Sequence, residues 1–148
     1  MKRIKQKGGA IINKLLLSFI LILTGCNTGL VFSEVSMENI PSDMQGSIES
    51  AKMENGCYLF TDEGKAIYVF LNGGNVILGE EAAFFKEVKI EQYEDTLNIY
   101  FTENKTSKYS NEKLKHQLLY KITPHDSYEK IQLFRNGEPI PFDIVFGI

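Results

Sequence analysis

Tryptophan is absent from these 148 residues, and cysteine and histidine occur only twice each. Each scarcity excludes something. Without Trp, a sugar-stacking platform could draw on Tyr58, Tyr68, Tyr100, Tyr109 or Tyr128, and of these Tyr109 sits in a polar segment where exposure is expected. His116 and His125 stand nine positions apart with Asp126 beside the second, and there is neither a Cys pair nor a His-x-x-x-His. Catalytic zinc needs three protein ligands in a set geometry. The sequence therefore predicts no metal and no other cofactor, and "PHDS" at Pro124–Ser127 reads as a turn. A nucleophile elbow is lacking too, because "QGSIES" around Ser47 has no second Gly. Cys57 lies in the apolar run "GCYLF", the setting of a buried structural thiol rather than of an activated one.

Charge gives no catalytic residue either. Asp62-Glu63, Glu80-Glu81 and Glu94-Asp95 fall where turns are expected, whereas glycosidases need two carboxyls facing across a cleft. "LNGGNVILG" lacks the Lys-Ser/Thr end of a phosphate loop. The densest basic stretch, Lys105 to His116, holds four Lys, one Glu and no Arg. It reads as a solvated loop, and binding to nucleic acid is not expected.

Long hydrophobic runs are also lacking. Crossing the ~30 Å hydrocarbon core takes about 20 apolar residues, and the main candidate, Leu15 to Leu23, has nine, interrupted by Ser18. Extending it to Ile11 and Val31 would force Asn13, Lys14, Thr24, Asn27 and Thr28 into lipid. Before the block stand Lys2, Arg3, Lys5, Lys7 and Lys14 with no acid, and small residues follow it. A basic start, a short apolar segment and small residues make the pattern of a cleaved export signal.

What is present is specific. At the end of the apolar block stand Leu23-Thr24-Gly25-Cys26, and this tetrapeptide resembles the lipobox of bacterial lipoproteins: an aliphatic residue, two small residues and an invariant cysteine. The resemblance covers residues 1–26. It implies that diacylglycerol is attached to the Cys26 thiol, that the lipoprotein signal peptidase cuts between Gly25 and Cys26, and that the new amino terminus is acylated in many bacteria. A single myristoyl chain binds a bilayer only marginally, and two chains on one sulfur hold durably. The partner so implied is the lipid bilayer, and the expected location is the extracytoplasmic face of a cell membrane.

Processing changes the rest of the chain. Five basic residues leave and all nineteen acids stay, so sixteen cations fall to eleven and the net charge moves from −3 to −8. With Cys26 lipidated, Cys57 has no intramolecular partner, and no internal disulfide is predicted. The reading divides the chain into a signal peptide (1–25), a lipidated Cys with a flexible tether (26–46) and a globular domain (47–148). A flexible tether of twenty residues has an r.m.s. reach of ~25 Å. Leu30-Val31-Phe32 could dock on the domain instead, which the sequence leaves open.

The domain reads as strands. "CYLFT" and "KAIYVFLN" are aromatic and β-branched runs split by an acidic-Gly turn. "EVKIEQY" and "DTLNIYFTE" alternate with period two about a tight turn at Glu94-Asp95. "QLLYKIT" and "KIQLFRNGEPIPFDIVF" follow, with Asn136-Gly137 as a type I′ hairpin turn. Pro139 and Pro141 cannot donate to a ladder, so their strand belongs at an edge or bulge. "GEEAAFFKE", Gly79 to Glu87, is expected to form a short helix or an irregular crossover. About seven short strands predict an all-β fold, a small antiparallel sandwich or partly open barrel. The expected role is to bind or support another cell-envelope component, a protein or a wall polymer. An envelope hydrolase with an unrecognised site, or an inhibitor- or immunity-type binding domain, are the alternatives.

Overall fold

The computed structural model describes residues 29–62 and 64–147. The basic and apolar leader, Gly25, Cys26 and Glu63 lie outside the described residues. Nine strands and one short helix follow in the order β1 (Val31–Glu34), α1 (Gln45–Ala51), β2 (Gly56–Asp62), β3 (Ala66–Asn72), β4 (Ala82–Tyr93), β5 (Thr96–Thr106), β6 (Gln117–Thr123), β7 (Lys130–Arg135), β8 (Glu138–Ile140) and β9 (Ile144–Gly147). They make two open sheets, β1-β6-β3-β2-β9 and β4-β5-β7-β8, packed face to face rather than closed into a barrel. The expected all-β sandwich is the fold observed. Two pairings, β2 with β9 and β5 with β7, are parallel, where an antiparallel arrangement was expected throughout.

The two central strands explain the layering. All seven residues of β3 are buried, and successive side chains point to opposite faces. Ile67, Val69 and Leu71 join Cys57, Leu59, Leu118 and Ile122 against the four-stranded sheet. Ala66, Tyr68 and Phe70 join Tyr58, Phe60 and Leu119 on the other face, beneath Met44, Ile48 and Ala51 of the helical segment. A strand covered on both sides reads as a continuous apolar run, as "AIYVFL" does. Burying Phe60 and Phe70 contributes about 1.5–3 kcal/mol each.

Residues 31–46, read from the sequence as tether, are held in the domain. Val31 to Glu34 pair with Thr123 to Tyr120, and Lys115 Nζ meets Glu34 at 2.6 Å. The signal overlooked in the sequence is the spacing Met44, Ile48, Ala51, one face of a single helical turn and its neighbour.

Gly79 to Glu87 differs as well: from Ala82 onward it is the first half of β4. Lys86 pairs with Thr102 and Lys89 with Tyr100, so three steps on β4 match two on β5, which is a bulge. Ala83 and Phe85 point into the core before it, and Ile90 after it. The bulge reverses the parity, so the run shows no alternation across it. Glu87 sits at φ 56°, and its carboxylate accepts a 2.8 Å hydrogen bond from Thr102. Asn136 and Gly137, at φ 53° and 85°, form the expected hairpin turn, and Pro139 lies on the edge strand β8.

Candidate functional site

Where β2 begins and β3 ends, a cleft of about 330 Å³ opens between the sheets. Its walls include Cys57, Asn72, Phe85, Glu103, Arg135 and Asp143. Its volume is at the small end of ligand pockets, and its polar groups are already engaged with one another. The Cys57 amide donates to Asp143 Oδ2 at 2.7 Å, and the Asp143 amide donates to the Cys57 carbonyl at 2.8 Å. Arg135 and Lys105 both reach the Glu103 carboxylate, at 3.3 and 3.6 Å. Asn136 clasps the Glu103 backbone from both sides, accepting from its amide at 2.9 Å and donating to its carbonyl at 3.1 Å.

The thiol in this cleft is not a nucleophile in waiting. Cys57 is 4% exposed, and burial first, then the Asp143 charge, push its pKa up to about 12. The guanidinium of Arg135 opposes that shift without reversing it. Thiolate chemistry needs an electropositive, accessible setting, and here burial and the Asp143 charge outweigh that of Arg135.

The His and Asp that a thiol catalyst would need beside it lie elsewhere. His125 and Asp126 line a second cleft of about 380 Å³ at the far end of β2, with Thr61, Asp62 and Tyr128. Five residues of strand rise, roughly 16 Å, separate Asp62 from Cys57. Among the described residues the ion-pair contact of His125 is with its neighbour Asp126, at 3.6 Å with both side chains exposed. His116 stands at the opposite end of β6, its Nδ1 on the Ala83 carbonyl at 2.6 Å. The two histidines therefore cannot share a ligand. Among the described residues no group of three or more His, Cys, Asp and Glu is placed to hold a metal ion, and no helix is long and apolar enough to cross a membrane.

Other candidates resolve locally. Tyr58 and Tyr68 are buried beneath the helix. Tyr100 stacks on Phe134 with ring centroids 4.7 Å apart, so the two rings cover each other's faces. Tyr109 is exposed, and its hydroxyl donates to the Glu80 carbonyl. Glu94-Asp95 forms the expected turn, and Glu80-Glu81 lies in an exposed loop. Ser47 sits half-buried in α1.

Asn72-Gly73-Gly74-Asn75, within the run that lacks the end of a phosphate loop, has a structural task. The Asn72 amide donates to the Ala51, Lys52 and Glu54 carbonyls at 3.1, 3.2 and 2.7 Å, covering the free end of α1. Its carbonyl oxygen accepts from Gly74 and Gln117, both at 3.0 Å. Asn75 and Asn55 exchange two hydrogen bonds, at 2.9 and 2.6 Å. A Cβ on Gly73 would come within 2.8 Å of the Ala83 Cβ, so only glycine fits there. This lock holds out the loop Val76-Ile77-Leu78, whose side chains are exposed, Leu78 entirely. No family model matches the chain, and comparison with curated proteins and with solved structures finds no match.

Proposed function

We propose that this is a lipid-anchored extracytoplasmic protein whose β domain binds or supports another component of the cell envelope, an envelope protein or a wall polymer. The observation that carries the reading is Leu23-Thr24-Gly25-Cys26, placed directly after a basic start and a nine-residue apolar block. Two features of the domain support a binding role over catalysis. The charged groups of the cleft are paired among themselves around a buried, protonated thiol. Three consecutive exposed aliphatic residues, Val76 to Leu78, are also unusual on a soluble surface that serves no contact. The hydrolase alternative has no such support, because Cys57 and His125 line different clefts.

Intact mass spectrometry of membrane-extracted protein, beside a Cys26→Ala variant, tests the anchor. The expected result is a chain beginning at Cys26 and carrying diacylglyceryl, lost in the variant. An unlipidated wild-type mass overturns the reading, and Cys26 then becomes free to pair with another thiol.

A further inference from the structure

We infer that the domain stands on the bilayer with one defined end, built from the β2–β3 turn, the β4–β5 turn and the loop Pro124 to Glu129, facing the headgroups at close range. The inference rests on lipidation at Cys26. Its geometry comes from where the chain leaves the domain.

The exit is pinned rather than loose. Leu30 packs against the core between the sheets, and β1 is bound into sheet order from Val31. Gly29 has φ 66° and lies against the His125 ring, where an added Cβ would come within 2.5 Å of the ring carbon Cδ2. The exit is therefore fixed beside the second cleft. The neighbouring loops share that end: Thr123 pairs with Val31, and the Glu129 amide donates to the Asp95 carbonyl at 2.9 Å. From Cys26 to Gly29 the chain has three residue steps, which span at most ~11 Å when fully extended. A twenty-residue flexible tether would reach ~25 Å. The domain is thus seated, not suspended.

Charge and apolar surface at this end decide the manner of seating. Asp62, Glu94, Asp95, Asp126 and Glu129 outnumber Lys65 and Lys130 here, so the loops gain nothing from anionic headgroups. Tyr93, 70% exposed beside the β4–β5 turn, is the residue type that favours a membrane interface. Lipid on Cys26 supplies the attachment, and the short link sets the orientation. The opposite end is then carried outward: Ile67 to Asn72 alone spans roughly 17 Å, and the Val76–Leu78 loop lies beyond Asn72. Contact with an envelope partner is directed there.

The test uses full-length lipidated protein in vesicles containing a headgroup-nitroxide lipid. A fluorophore is placed at Asp126→Cys or at Ile77→Cys, both exposed positions. Labelled wild-type protein serves as blank, since Cys57 is 4% exposed. Intact mass of each sample confirms the diacylglyceryl group, which separates failure of the anchor from failure of the orientation. The expected result is quenching several-fold stronger at 126 than at 77. Inserting twenty Gly/Ser residues between Thr28 and Gly29 should leave the mass shift and abolish the difference. Equal quenching at both sites in lipidated protein, stronger quenching at 77, or no response to the insertion overturns the inference.

Discussion

Buried beside the Asp143 carboxylate, the Cys57 thiol keeps its proton up to about pH 12, well above the ordinary thiol value of 9.0. That difference is a stability statement. Below about pH 9 the thiol is protonated in both folded and unfolded chains. Above it the unfolded chain loses the proton and the folded one keeps it, so stability falls as pH rises towards 12. The slope from this group is about 1.4 kcal/mol per pH unit. Tyr58, Tyr120 and Tyr128, each raised chiefly by burial, act in the same direction. Urea unfolding between about pH 8 and pH 11 should show a shallower alkaline decline in Cys57→Ala than in wild type; parallel curves would refute the assignment. Asn72 is the second decisive residue. Asn72→Leu keeps the volume but removes the side-chain donor to the Ala51 carbonyl and the acceptor of the Gly74 amide and Gln117, while the Lys52 and Glu54 carbonyls keep Asn75 and Tyr58. A loss of about 2–4 kcal/mol is expected from the shift in denaturation midpoint.

At the scale of elements, two devices give measurable handles. The β4–β5 turn places Glu94 at φ 54°, a left-handed conformation that costs a residue other than Gly, Asn or Asp about 1 kcal/mol. Glu94→Asn should raise stability by about 0.5–1 kcal/mol in a thermal melt, and no change would mean the turn relaxes at little cost. The helix α1 has no side-chain cap at its start and is held by Ile48 and Ala51 beneath sheet β1-β6-β3-β2-β9. Ile48→Ala should cost about 2–4 kcal/mol, because the cavity opens between Phe60, Phe70 and the helix where neither side can collapse. The Val76–Leu78 loop should behave in the opposite way. Leu78→Ser removes no buried contact and should leave the melting curve within about 0.5 kcal/mol of wild type. Crosslinking to an envelope partner through a photoreactive group at Ile77 should nevertheless fall.

Across the whole molecule, the three layers predict a gradient of protection. Strands β2 and β3 lie in the middle of their sheet with both faces covered, while β1, β8 and β9 are edges with exposed side chains. Amide exchange should be slowest in Leu59–Phe60 and Val69–Leu71 and fastest in the edge strands, since central strands open only with the whole domain. Protection of β1 comparable to that of its neighbour β6 would show the chain exit to be pinned in solution. Loss of protection there before the rest of the sheet opens would instead restore a flexible link to Cys26.

The amino-acid sequence determined by itself what depends on near neighbours. The basic start, the apolar block and Leu23-Thr24-Gly25-Cys26 are contiguous, so the proposed anchor rests on near neighbours alone; the Asn136-Gly137 turn is set by two residues that tolerate positive φ, and the alternation of Leu97, Ile99 and Phe101 reports one buried face of β5. The all-β class followed from these local patterns. Tertiary structure decided what depends on residues far apart. Whether β1 belongs to a tether or a sheet rests on a pairing with Thr123, some ninety positions away, and the short apolar run Leu30-Val31-Phe32 by itself left both open. The bulge at Glu87 broke the periodicity that would have marked β4, because its extra residue is defined only by the facing strand. The buried helix face was spelled by three residues, too few for a period to stand out. The cleft at Cys57 and the loop at His125 were assigned to separate ends only when β2 lay between them, since distance across a fold is set by packing and not by sequence separation.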